Sequence, residues 1–224
     1  MNHSYRLGDL CEITPSPSSD LFVDLAVEAE GVPVISPADI AEGRVVNQSL
    51  LRCLPQESAD TMVRFKVLPD DLVVVRQGAV GKVALIEERS RGWIYHSSCI
   101  RLRPDVHAVH PAYLTAYLAH PPVVDQMLAR THVGTVATIT AGVLAELPVA
   151  LPPLQEQRLI AQALGEVDLQ VDVQRRLLGR LEALRPALLS QMLGGEVPGD
   201  RTGKPVDTPV ERRPGRVRRM NRMS

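Results

Sequence analysis

Leu151-Pro152-Pro153-Leu154-Gln155-Glu156-Gln157-Arg158-Leu159-Ile160-Ala161 divides this chain in two. Two consecutive prolines cannot donate to a strand ladder, and each disfavours helix in the residue before it. After them no turn signal appears until Gly194-Gly195. Within that run Ile160, Leu164, Val167, Val171, Leu178, Leu181, Leu188 and Met192 fall at alternating steps of four and three, with Gln174 and Arg185 filling the two gaps. Apolar residues thus hold eight of ten seam positions over more than four heptads, which is coiled-coil spacing. The pattern predicts one long helix over residues 153–193, roughly 60 Å long at ~1.5 Å per residue. A lobe of about 150 residues is too small to cover such a stripe, so the length favours a partner helix; burial against its own lobe is the rival reading.

Pro186 conflicts with this pattern. A proline inside a helix removes a backbone bond and clashes with the preceding turn, at ~3 kcal/mol. A kink or break is therefore expected near residues 181–186, with 187–193 as a separate short helix. Gly165 and Gly179 each weaken the helix by about 1 kcal/mol relative to alanine. Beyond residue 196 large apolar side chains almost vanish, so residues 197–224 are expected to be disordered. Residues 198–224 carry eight Lys or Arg against three acids, a surplus of +5 that leaves −6 on the rest of a chain whose net charge is −1. The tail reads as a solubilising segment or as a loose phosphate-binding arm.

Upstream of the prolines, residues 1–151 read as one mixed domain. Apolar or alternating runs predict strands at 32–35, 61–67, 72–75, 80–86, 93–102 and 147–151. Pro69-Asp70-Asp71, Gln77-Gly78-Ala79 and Arg89-Ser90-Arg91-Gly92 supply turns between them. Pro111 and Pro121-Pro122 start two short helices. Gly134 to Thr140 suits a loop or a short strand. The fold class is α+β: a mixed, mostly antiparallel curled sheet with small helices, followed by the long helix.

Composition narrows the function. With aromatic residues at 3%, an aromatic platform for single strands or RNA is disfavoured. The three cysteines, Cys11, Cys53 and Cys99, lie far apart without ligand spacing, which suits a reducing compartment. No apolar run is long enough for a membrane span, and the first residues lack the order of a signal peptide, so a cytoplasmic location is expected. His107, His110, His120 and His132 lack metal-ligand spacing. Gly78-Ala79-Val80-Gly81-Lys82 lacks the Gly-Lys-Ser/Thr ending of a phosphate loop and reads as a turn. His96-Ser97-Ser98-Cys99 has no base and orienter to make a nucleophile and reads as strand.

Several segments together resemble the specificity subunit of Type I restriction–modification systems. Leu151-Pro152-Pro153-Leu154-Gln155-Glu156-Gln157 is similar to the stretch that joins a target-recognition domain to a long conserved-region helix in that family. Tyr5-Arg6-Leu7-Gly8-Asp9-Leu10 is similar to the start of that domain, and Val32-Pro33-Val34-Ile35-Ser36-Pro37-Ala38-Asp39-Ile40 to a later part. Leu68-Pro69-Asp70-Asp71-Leu72 leads into Arg76-Gln77-Gly78-Ala79-Val80-Gly81-Lys82-Val83, which resembles the family's turn–strand–turn. His110-Pro111-Ala112-Tyr113-Leu114 and Leu188-Leu189-Ser190-Gln191-Met192-Leu193-Gly194-Gly195-Glu196 also fit. The order of these segments over residues 5–196 carries the resemblance. A full subunit has two recognition domains and two long helices. No internal repeat is visible here, so the reading is one half. Asp70-Asp71 stands where the family's turn usually has Gly-Asp, and Pro186 is uncommon in its helix.

The resemblance implies a non-catalytic DNA-recognition subunit that reads one half of a bipartite target in double-stranded DNA. Its helix would pair with a second copy or a second half-specificity subunit and dock a DNA adenine methyltransferase subunit. S-adenosylmethionine would sit on that methyltransferase, with no cofactor on this chain, and a restriction subunit is a further possible member. The alternative is a coiled-coil interaction module that assembles with, or competes against, a full specificity subunit or another defence complex. Candidate DNA contacts are Arg76 and Gln77, whose forks match guanine and adenine edges, and Lys82 for a phosphate. His96, Ser97, Ser98, Thr135, Thr138, Arg44 and Asn47 complete the candidates. With a net charge of −1, the isolated chain is expected to bind DNA weakly and to depend on its partner's basic surface.

Overall fold

The computed structural model describes residues 3–26, 30–46, 48–131 and 136–192. The tail 197–224, Asn47 and Thr135 lie outside them.

An antiparallel sheet runs Cys11–Thr14, Cys99–Pro104, Leu72–Val75, Val83–Leu85 in spatial order. Leu72–Val75 is buried at every position. Side chains alternate across a strand, so a run of four apolar residues needs cover on both faces. Leu72 and Val74 join a cluster with Ile100, Leu102, Tyr113 and Leu114. Val73 and Val75 join a second with Ile35, Val67 and Tyr95. Each such side chain contributes about 1.5–3 kcal/mol on burial.

Smaller ladders complete the lobe. Val32–Ile35 pairs antiparallel with Cys53–Leu54 and parallel with Ile94–Tyr95. Ile40–Ala41 and Arg44–Val45 form a hairpin whose turn residues Glu42 and Gly43 have φ of 52° and 75°. Positive φ at both positions suits a primed two-residue turn. His3–Arg6 pairs antiparallel with Pro148–Leu151, so the first strand meets the last just before Pro152. Helices Pro111–Ala119 and Pro121–Leu128 both begin on proline. The Tyr113 and Tyr117 hydroxyls donate to the carbonyls of Ala150 (2.6 Å) and Pro148 (3.2 Å), fixing that last strand.

The mixed, mostly antiparallel α+β class with a long C-terminal helix is borne out, but several expected elements are corrected. Residues 61–67 form no strand. After the short helix Gln56–Asp60 the chain keeps turning, with Met62 N–H donating to Ala59 and Phe65 N–H to Met62 through a 3-10 turn at Val63–Phe65. The buried Arg101 guanidinium takes the Arg64 and Lys66 carbonyls, both at 3.1 Å, so those groups serve a cation instead of a ladder. Residues 93–102 split at His96. Ile94–Tyr95 and Cys99–Pro104 belong to different sheets, and Cys99 N–H closes a turn onto the His96 carbonyl at 2.9 Å. Residues 80–86 are strand only at Val83–Leu85, because Gly81, at φ 91°, is still in the turn.

The long helix is Leu154–Met192. Gln157 is buried, and Ile160 and Ala161 pack on the first core cluster. Leu164 and Val167 are exposed, and so are Val171, Leu178, Leu181, Leu188 and Met192. The expected break at Pro186 is absent, since the helix runs through it. Proline forfeits one N–H while its fixed φ still suits a helix. Leu181, Ala183, Leu184, Ala187, Leu188 and Leu189 around it are good helix formers that offset the cost.

Candidate nucleic-acid interface

Three chain segments that lie far apart in sequence meet where Leu72–Val75 ends. Arg76 N–H donates to the Ser98 carbonyl at 2.9 Å, and Arg76 Nη1 to the Ser97 carbonyl at 3.3 Å. On the other side Ile139 N–H donates to the Arg76 carbonyl at 2.8 Å and Gly78 N–H to the Ala137 carbonyl at 3.1 Å, so Gln77 pairs with Thr138. Arg76, Gln77, His96, Ser97, Ser98 and Thr138 therefore share one rim. Gln77 is exposed, while the other five are half-buried. Gly78, at φ 80°, has open space where a Cβ would stand, so its role is the turn and not a close approach.

Lys82 closes the same loop, its carbonyl accepting Val75 N–H at 2.8 Å. Its exposed side chain lines a cavity of about 450 Å³ with Gly43, Val80, Ala119 and Val124. Arg44 lies on the separate Ile40–Val45 hairpin, which docks through Leu85 N–H on the Gly43 carbonyl at 2.9 Å. His96 to Ser98, expected as strand, form the crossing turn described above.

His96 is the most constrained member. Its ring lies against Phe22 with centroids 4.8 Å apart, and its Nδ1 accepts Ser98 N–H at 3.2 Å. Burial, and then the positive charge of Arg52, pull its pKa below the usual 6.5, with Asp39 opposing. Sequence reasoning missed Arg52. It sits on the flank of the smaller sheet, its carbonyl accepting Val34 N–H at 2.8 Å, and its side chain makes no hydrogen bond or ion pair among the described residues. The signal was present: Arg52 is the single polar residue in Leu50-Leu51-Arg52-Cys53-Leu54. Burial pushes the Cys11 and Cys99 thiols up to about 12, which leaves them inert.

The family described as "Type I restriction modification DNA specificity domain" matches residues 2–183, and the chain belongs to that family. The Type I restriction enzyme EcoBI specificity subunit of Escherichia coli is 23% identical over 192 residues, covering 84% of this chain and 39% of that protein. A chain from a structure reported as "Structural basis underlying complex assembly and conformational transition of the type I R-M system" shares the fold at TM-score 0.60 and 24% identity, covering 86% of this chain and 45% of that one. The HsdS subunit from Thermoanaerobacter tengcongensis does so at TM-score 0.54 and 23% identity, covering 85% and 44%. The chain thus spans less than half the length of these relatives. No helix among the described residues is long and apolar enough to cross a membrane.

Proposed function

We propose that this chain is a DNA target-recognition module that reads one half of a bipartite site in double-stranded DNA. The observation that carries the reading is the rim itself: Arg76, Gln77, His96, Ser97, Ser98 and Thr138 converge from three segments onto one edge of a DNA specificity fold. Arginine, glutamine, histidine and hydroxyl side chains are the groups that bond base edges, while Lys82 and Arg44 suit phosphates. Thr135 and Asn47 belong to the same proposal by their chemistry and position in sequence.

The helix sets the geometry. Leu164, Val167, Val171, Leu178, Leu181, Leu188 and Met192 are exposed, and apolar residues at coiled-coil spacing seek a second helix. Pairing in antiparallel fashion with a second copy, or with another half-specificity subunit, holds two reading lobes apart and specifies a split target. Two copies related by a two-fold axis read a palindromic one. The same helix docks a DNA adenine methyltransferase subunit, which carries S-adenosylmethionine and the chemistry, and a restriction subunit joins that assembly. This chain carries recognition and no catalytic step.

Methylome sequencing of cells with and without this gene tests the reading. The expected result is loss of one split methylated motif. An unchanged methylome, with the chain co-purifying on a longer specificity subunit, would favour a competing interaction module instead.

A further inference from the structure

The base chemistry of the rim follows from how His96 is held, and it rests on the DNA-reading role proposed above. The His96 backbone N–H donates to Ile35 at 2.9 Å, Phe22 covers one ring face, and Nδ1 accepts Ser98 N–H. A backbone N–H can only donate, so Nδ1 must offer its lone pair, and the neutral ring then carries its proton on Nε2. Nε2 has no partner among the described residues and is not a buried orphan. It is a donor oriented by the fold and left open.

Two guanidinium groups accompany it. Arg76 spends one nitrogen on the Ser97 carbonyl. Arg52 is opposite Val34, which pairs on its other edge with Ile94, two residues before His96. Arg52 and His96 thus flank the same short ladder, Arg52 just before Cys53–Leu54 and His96 just after Ile94–Tyr95. The lowered His96 pKa, caused in part by Arg52, agrees with that closeness. A donor-dominated surface matches an edge made of acceptors. In the major groove guanine alone presents N7 and O6 side by side, whereas adenine and cytosine present amino donors and thymine one oxygen beside a methyl group.

We propose that His96 is a specificity-determining residue that donates from Nε2 to N7 of a guanine of the recognised half-site, with the Arg76 guanidinium on O6 of the same base. The test uses the full chain in complex with its methyltransferase and a duplex carrying the methylated motif, with 7-deazaguanine replacing one guanine at a time to delete N7. One position in this chain's half-site should weaken wild-type binding by ~10-fold or more, the range of a good base contact. His96→Ala should abolish that sensitivity, and His96→Gln, whose amide N–H reaches near Nε2, should keep it. If His96→Ala does not fold, His96→Asn, too short to reach the Nε2 position, decides the donor. A half-site without guanine, the absence of any sensitive position, or sensitivity that survives in His96→Ala or His96→Asn would overturn the assignment while leaving the DNA-reading role intact. A motif whose methylation does not depend on this chain would remove both.

Discussion

The Gln157 side-chain oxygen accepts the backbone N–H of His110 at 2.8 Å, tying the first turns of the long helix to the N-terminus of the helix Pro111–Ala119. Gln157 is 1% exposed, and its Nε2 donates to the carbonyls of Pro152 (2.8 Å) and Ala108 (3.4 Å). The side chain thus joins the proline boundary, the loop before His110 and the long helix.

Gln157→Ala should therefore destabilise the protein by about 2–4 kcal/mol, because buried donors and acceptors left unpaired cost about 1–3 kcal/mol each. Gln157→Glu should also destabilise, since a carboxylate cannot donate to the two carbonyls. Urea denaturation of the full chain measures both. A change under 0.5 kcal/mol for the alanine variant would show that the contact does not hold the helix.

Asp70 has φ of 69°, a left-handed conformation at the turn where the resembling family usually has glycine. Its conformation, and not its carboxylate, is what the turn requires. Asp70→Gly should stay within about 0.5 kcal/mol of the parent, whereas Asp70→Ile should lose about 1–2 kcal/mol, because a branched Cβ clashes in that region. Thermal unfolding of the two variants separates these outcomes.

His96 should titrate below 6.5 in an NMR titration of its ring, since burial and Arg52 both disfavour the charged form, with Asp39 opposing. The unfolded state then binds more protons than the folded state as pH falls. The stability from neutral His96 is fully present above pH 6.5 and is lost as pH drops through the lowered midpoint. Arg52→Gln should move that midpoint upward. A midpoint at or above 6.5 in the parent would contradict the arrangement.

The chain's net charge of −1 limits the phosphate attraction available to it alone. Fluorescence anisotropy should show weak binding of duplex DNA by the isolated chain and much tighter binding once the methyltransferase is added. Tight, steeply salt-dependent binding by the chain alone would overturn this expectation.

Leu178 is 55% exposed within the apolar seam. Leu178→Asp should lower the sedimentation coefficient at concentrations where the parent self-associates, or release a bound partner chain, without loss of helix signal. Gly179 has open space around the position of a Cβ, so Gly179→Ala should strengthen the helix by about 1 kcal/mol.

The long helix was legible because its evidence is periodic: eight apolar seam residues repeat the same message, and one proline at 186 could not cancel it. The strands at Val32–Ile35 and Leu72–Val75 were legible for a related reason, being apolar runs bounded by turn residues. Residues 61–67 were misread because seven residues of alternation also fit a chain that turns with Met62 and Phe65 inward, and the choice was made by the distant Arg101. Much of the rim was named from residue chemistry, but its assembly was not, since the bonds that join Arg76 to Ser98 and to Ile139 span loops of different length. Arg52 escaped notice because a lone arginine on a strand flank looks like ordinary surface.

By itself the amino-acid sequence determined the partition at Pro152-Pro153, the seam of the long helix and the mostly antiparallel α+β class, because backbone chemistry and side-chain period act over a few neighbouring residues. Tertiary structure alone decided that Gln157 is an internal tie, that Ile160 packs on its own lobe while Leu164 does not, and that His96 Nδ1 takes the Ser98 N–H. Those outcomes depend on which distant groups compete for the same hydrogen bonds and the same buried volume, a contest settled only when the whole lobe closes.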